Sequence, residues 1–186
     1  TEVKLDPKTG RLIRDGVPSI INPDDKNALE EALRIKDENP DTTVTVVSMG
    51  PPQADVAMRE ALAMGADEAI LISGREFGGS DTWATSYIIA TAIKKIPDYD
   101  IIFCGRQAID GDTAQVGPQI AEQLNIPQIT YVQKLDIEGD KVIVQRQLED
   151  GYTVVEAKMP VLLTAIKELN TPRYMTPKGI FEAYNK

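Results

Sequence analysis

From about residue 20 to residue 125, strand-like and helix-like segments alternate, and this alternation constrains the fold more than any other feature of the sequence. The spacing predicts a helix from Pro23 to Lys36, with Asn22 as its cap, Pro23 at the first helical position and Asp24 and Asp25 at the positive end of its dipole. Leu29, Ala32, Leu33 and Lys36 fall on one stripe of that helix. Short apolar strands follow at Thr43–Gly50, Glu68–Ser73 and Asp100–Gly105, with helices expected at Gln53–Met64, from the Gly78–Gly79 turn to Lys95 (capped by Asp81), and from near Thr113 to Leu124. This pattern implies an open parallel α/β sheet of the doubly wound, nucleotide-binding type, with helices on both faces. After Ile126 the apolar residues alternate with polar ones, and Gly139-Asp140 and Asp150-Gly151 mark two turns. That grammar predicts an antiparallel hairpin extension on one edge of the sheet. The expected organisation is a core over residues 1–126, the extension over 127–164 and a locally basic contact tail over 165–186 that is mostly loop with a short helical turn.

Composition narrows the chemistry. The 186 residues are 42% hydrophobic and 26% charged, enough for one domain with a real core. Lys and Arg number 20 against 29 Asp and Glu, a net charge of −9, which disfavours a nucleic-acid partner. There is no histidine, which excludes Ser-His-Asp and Cys-His catalysis and most zinc and non-haem iron sites, so no metal site and no catalytic side chain is assigned. The single cysteine, Cys104, reads as a small buried hydrophobe and fits a reducing cytoplasm. TEVKLDPKTG lacks the apolar stretch of a signal peptide, and no apolar run reaches the ~18 residues that span a bilayer. A reaction involving such a chain would be carried by a cofactor.

The strongest local signal is CGRQAIDGDTAQVGPQIAEQL, Cys104 to Leu124. Ligands of open parallel sheets bind beyond the carboxyl ends of the strands, and backbone amides at a helix start hold anions. Gly105, Arg106, Gln107, Ala108, Ile109, Asp110, Gly111, Asp112, Thr113, Ala114, Gln115 and Val116 are therefore candidates for a diphosphate cradle, with Arg106 adding charge. The alternative is a capped strand–helix turn whose glycines only permit tight packing, since neither GxGxxG nor GxxxxGK[ST] is present. Asn22 either caps its helix or meets an adenine or ribose edge. Gly50, in SMGP, either lets a ligand approach the backbone or turns the chain. Thr82 and Thr85 share one face of a helix start at the same end of the sheet. GGSDTWAT differs from the SGGxDS pyrophosphate loop in carrying Phe77 where a serine should stand, and that reading is rejected. Trp83 and Tyr87, four apart, read as core packing.

INPDDKNALEEAL, ALAMGAD, GRQAIDGDTAQVGPQIAEQL and AIKELNTPRYMTP, in that order, closely resemble the β-subunit of electron-transfer flavoproteins, over almost the whole chain. Family members begin with a further strand before TEVKLD and continue past Lys186 with an arm, so the chain resembles a family β-domain trimmed at both ends. The resemblance implies a heterodimer with an α-subunit. In one branch of the family the β-subunit holds AMP structurally. In the electron-bifurcating branch it holds FAD, takes hydride from NADH, and sends one electron to ferredoxin or flavodoxin and the other through the α-subunit FAD to an acyl-CoA dehydrogenase. The wording of VPSIINPDD and GDTAQVGP resembles the bifurcating branch. On that resemblance Asn22, Pro23, Asp24, Asp25, Met49 and Gly50 match adenosine-binding segments, and Gly105 to Val116 match the phosphate loop. Thr82 and Thr85 match the diphosphate or ribityl region. Gln147 replaces a glutamate that some relatives place near the α-subunit flavin. Arg173, Tyr174, Met175, Pro177 and Ile180 fall in the loop that docks on acyl-CoA dehydrogenases. A universal-stress-type nucleotide-binding module shares the layered sheet and remains the other class.

Overall fold

A computed structural model of the chain describes residues 4, 5, 7, 12, 13 and 19–185. Two short strands, β1 (Lys4–Leu5) and β2 (Leu12–Ile13), pair antiparallel. The alternating region then follows as α1 (Pro23–Glu38), β3 (Thr45–Met49), α2 (Asp55–Met64), β4 (Glu68–Ile72), α3 (Thr82–Ile93), β5 (Ile101–Gly105) and α4 (Val116–Leu124). The remainder is β6 (Gln128–Glu138), β7 (Lys141–Leu148), β8 (Gly151–Lys158), β9 (Val161–Ala165) and α5 (Pro177–Ala183). Asp81 caps α3, its side chain accepting from the Ala84 amide at 2.8 Å, as the sequence predicts.

The parallel strands fall into two sheets. β3 and β4 pair parallel in one, and the other has the order β5-β9-β6-β7-β8. β9 pairs parallel with both β5 and β6, while β6, β7 and β8 form an antiparallel meander with turns where Gly139-Asp140 and Asp150-Gly151 predict them. The segment Val161–Ala165, read as the last of the hairpin material, is thus an interior strand of the parallel part. The reason is its uniform apolarity: all five residues are buried, which suits a strand covered on both faces and not an edge hairpin.

Helices cover the sheets on both sides. α1 joins them, with Ala28 in the cluster built on Val132, Val144 and Leu163, and Leu29 and Leu33 in the cluster that includes Val44, Ala61 and Ala66. On the opposite face, Ala90 and Ile93 of α3 and Ile120 and Ala121 of α4 pack on Leu162 of β9. Gly117 lets α4 approach closely, because a Cβ there would stand 3.0 Å from Thr164 Cγ2. Trp83 and Tyr87 do not join this core. Both are 57% exposed, since Ser86, Ala90 and Ile93 occupy the inward stripe of α3 and leave the i, i+4 pair on its outer face. Cys104 does pack among these side chains, and burial pushes its thiol up to about 12.

Candidate nucleotide-binding site

β5 ends at Gly105, paired with Ala165 at the end of β9, so the chain enters the 106–115 loop at the carboxyl end of the parallel strands. The Arg106 amide continues this pairing by donating to the Ala165 carbonyl at 2.9 Å. Gly105 lies against the first turn of α1: a Cβ there would meet the Asp25 nitrogen at 2.5 Å, so no other residue fits. The Gly105 amide donates to Asp25 Oδ1 at 2.6 Å, and Asn22 Nδ2 donates to Asp25 Oδ2 at 2.9 Å. Asn22 also donates to the Gln107 carbonyl at 2.9 Å and accepts from the Ile109 amide at 3.0 Å. Asn22 therefore does not cap α1 through its side chain, and its polar atoms tie down the loop. Burial raises the Asp25 carboxyl above its ordinary value of 3.8, and the two donors pull only partly against that effect. Asp24 stands 3.4 Å from Arg106 Nε, a nitrogen that is buried with no aligned hydrogen-bond partner.

The second half of the loop has the opposite character. The Asp112 amide donates to the Ala108 carbonyl at 2.9 Å, and the Gln107 side chain donates to Asp112 Oδ1, closing a tight turn. Beyond it, the amides of Gly111, Thr113, Ala114, Gln115, Val116 and Gly117 have no hydrogen-bond partner among the described residues; those of Gln107 and Ala108 are likewise free. α4 begins at Val116, later than the sequence predicts, because Asp112 (φ 52°) and Ala114 (φ 51°) take left-handed conformations that no helix continues through. Left-handed residues next to the right-handed Gln115 (φ −106°, ψ −32°) turn successive N–H groups toward one side, the geometry of an anion-binding nest. Holding non-glycine residues there costs free energy, and such outliers concentrate at ligand sites. A Cβ on Gly111 would meet nothing within 4 Å, so the loop opens on that side.

Other expected residues are placed as follows. Thr82 Oγ1 lies 3.4 Å from Gln115 Oε1 and accepts from Gln119 Nε2 at 3.4 Å, which brings the start of α3 beside the start of α4. Thr85 follows in the same first turn, its amide bonded to the Asp81 carbonyl at 2.9 Å. Met49 and Gly50 end β3 in the smaller sheet, where the Gly50 amide extends the pairing to the Ile72 carbonyl at 3.1 Å. An open groove of about 500 Å³ lies elsewhere, between α2 and β4, lined by Met58, Arg59, Leu62 and Ile70 among others. No His/Cys/Asp/Glu group among the described residues could hold a metal ion, and no helix among them is long and apolar enough to cross a membrane.

The tail is latched to the domain while displaying apolar side chains. Arg173 donates from Nε and from its amide to Glu30 Oε2, each at 2.9 Å, and from Nη2 to Glu30 Oε1 at 3.1 Å and Asp37 Oδ2 at 2.7 Å. Its hydrogen bond holds the Asp37 carboxyl below the ordinary value of 3.8. α5 docks on α2 through Gly179, where a Cβ would stand 2.2 Å from the Ala63 carbonyl oxygen. Tyr174 is 95% and Phe181 76% exposed, with Met175, Pro177 and Ile180 also outward. Phe181 is more exposed than Met175 and Ile180, and its exposure follows from the docking of α5, which no local signal announces.

Residues 9–185 match the family model described as electron transfer flavoprotein domain. The chain is 70% identical over 185 residues to the electron transfer flavoprotein subunit beta of Thermoanaerobacterium thermosaccharolyticum, covering 100% of this chain and 70% of that one. It is 63% identical over 185 residues to the caffeyl-CoA reductase-Etf complex subunit CarD of Acetobacterium woodii (100% and 71%). It is 57% identical over 180 residues to the acryloyl-CoA reductase electron transfer subunit gamma of Anaerotignum propionicum (95% and 67%). A parallel sheet flanked by helices, a loop of unpartnered amides at its carboxyl end, and identity of this extent along nearly all of the sequence agree: the chain belongs to the electron transfer flavoprotein family, with the β-subunits that pair with an α-subunit.

Proposed function

We propose that the chain binds FAD through the second half of the 105–117 loop and acts, with its α-subunit, as the bifurcating half of a cytoplasmic electron-transfer flavoprotein. The observation that carries this reading is the set of unpartnered amides at Gly111 and from Thr113 to Gly117, arranged as a nest at the start of α4. These groups fit a diphosphate. They supply several convergent donors and the positive end of a helix dipole, without a side chain that would titrate. Arg106 adds a guanidinium 38% exposed at the loop entry, and Thr82 and Thr85 line the neighbouring helix start.

The flavin, when bound, supplies hydride acceptance from NADH and release of electrons singly, toward ferredoxin or flavodoxin and through the α-subunit FAD toward an acyl-CoA dehydrogenase. The chain's own residues hold the coenzyme by its phosphates, fix its orientation, and hold the loop against α1. Names of relatives support the direction of electron flow: two are subunits of caffeyl-CoA and acryloyl-CoA reductase complexes. The exposed Tyr174, Met175, Pro177, Ile180 and Phe181 support docking of such a dehydrogenase on the tail, with Arg173 serving as the tail's anchor to the domain.

A second reading, structural AMP in a non-bifurcating subunit, draws on the same amides, because a monophosphate is met equally by a nest. The visible spectrum of the intact heterodimer, with flavin counted per complex, decides between them. Two FAD are expected. One FAD and one AMP would replace bifurcation with the structural role. Rapid bleaching by NADH would separate the bifurcating complex from a nucleotide sensor of the universal-stress type.

A further inference from the structure

We propose that Asn22 and Asp25 are positioning residues for the nucleotide site: they form a clasp that holds the first half of the loop against α1 so that the amides of the second half converge. This rests on the nucleotide-binding reading and assigns its residues differently from a simple adenosine contact. The side chains leave little for a ligand. Both Asn22 Nδ2 hydrogens are engaged, to Asp25 Oδ2 and the Gln107 carbonyl, and its Oδ1 accepts from the Ile109 amide. Each Asp25 oxygen already accepts a hydrogen bond, one of them the 2.6 Å bond from the Gly105 amide. A base or ribose edge could reach these groups only by displacing the loop.

What the clasp fixes is specific. It seizes alternate residues, Gly105, Gln107 and Ile109, through backbone atoms alone, so it sets the path of the chain whatever side chains the loop carries. Asp112 is then folded back onto Ala108 by its amide, and the left-handed Asp112 and Ala114 carry the direction into α4. The amides of Gly105, Arg106 and Ile109 are engaged inside the protein, whereas those from Gly111 to Gly117, apart from Asp112, have no partner among the described residues. The loop thus divides into a held half and a presenting half, joined at Asp110-Gly111. Because α1 also bridges the two core clusters, the clasp references the presenting half to the helix that joins the two sheets.

The test uses the complex of the full-length subunit with its α-subunit, AMP and FAD as probes in titration calorimetry, and hydrogen exchange of amides 105–117 in the absence of added nucleotide. Asp25→Asn and Asn22→Ala are each expected to weaken AMP binding at least tenfold and to speed exchange at 105–112, with the sheet unchanged. The reciprocal pair Asn22→Asp with Asp25→Asn keeps the Gly105, Ile109 and side-chain contacts but turns a carboxylate oxygen at position 22 on the Gln107 carbonyl, so it is expected to stay at least tenfold weaker than the wild type. Single variants with wild-type affinity overturn the proposal, whether or not exchange rises. A swap that binds as tightly as the wild type overturns it as well. If Asp25→Asn does not fold, Asn22→Ala, at a partly exposed position, gives both readouts. If the wild type binds neither AMP nor FAD, the nucleotide reading fails, and exchange alone judges the clasp: unchanged exchange at 105–112 in the variants overturns it.

Discussion

Gly105 is caught between a strand end, a helix start and a loop, and each fixes a different part of it. Its carbonyl side completes β5, its amide donates to Asp25, and its missing side chain leaves the 2.5 Å gap through which the Asp25 backbone passes. Gly105→Ala forces two backbones apart, with no flexible side-chain end to give way, and is expected to cost about 3 kcal/mol, measured by urea unfolding. Ala114, at φ 51°, faces the reverse situation. Ala114→Gly removes the left-handed penalty and is expected to leave stability unchanged or raise it by about 1 kcal/mol, with nucleotide affinity retained because only the amide is used. Asp25 also imposes a pH dependence. Its folded-state pKa lies above the unfolded value of 3.8, so between the two the native state holds a proton that the unfolded chain has released. Its contribution to stability therefore falls as pH rises through that window. Asp37 and Asp140, whose values are lowered by Arg173 and Lys158, act in the opposite sense and lose their contribution as pH falls. Asp25→Asn is expected to cancel the first slope and leave the second, read from urea midpoints between about pH 2 and 7, a range that reaches both sides of the ordinary carboxylate values.

Among the elements, α5 is the one whose placement depends on single contacts. Seven residues are too few to hold a helix alone, so its stability comes from docking on α2. Thr176 caps it by accepting from the Gly179 amide at 2.9 Å, Arg59 donates to the Ala183 carbonyl at 2.9 Å, and the Arg59 guanidinium lies 4.9 Å from the Tyr184 ring centroid. Gly179→Ala would push the helix off the Ala63 carbonyl. The expected outcome is fast hydrogen exchange over 173–185 with the five-stranded sheet still protected. β6 illustrates the other extreme, an element strong enough to carry a fault. It skips between Ile129 and Val132 relative to β9, Tyr131 takes φ 58° in the bulge, and its amide is recovered by Thr164 Oγ1 at 3.1 Å.

For the whole molecule, the loop and the tail are held by one helix. The first turn of α1 holds the 105–117 loop, while Glu30 and Asp37 further along it hold Arg173 and the tail. The tail then displays aromatic side chains on a chain of net charge −9, the kind of residue that supplies interface hot spots. Phe181→Ala is expected to weaken association with an acyl-CoA dehydrogenase by about 2 kcal/mol, read by surface plasmon resonance. Thermal stability should not change, since the ring is 76% exposed. Unaltered association would place the docking surface elsewhere.

Periodicity and punctuation along the chain were enough to determine the alternation of strands and helices, the Asp81 cap, both hairpin turns and the long loop after β5. All of these depend on neighbours within a few residues, where propensity and turn chemistry act. Three features required the tertiary structure. β9 lies between β5 and β6 although it comes last of the strands, because strand order depends on which faces must be buried. Trp83 and Tyr87 face outward because smaller residues on α3 take the interior stripe, a competition invisible in spacing alone. Asn22 and Asp25 read locally as a cap and a dipole partner, yet their bonds run to residues 80 and more positions away. Only the folded chain brings those partners within reach, so only it could decide which amides are held and which are offered.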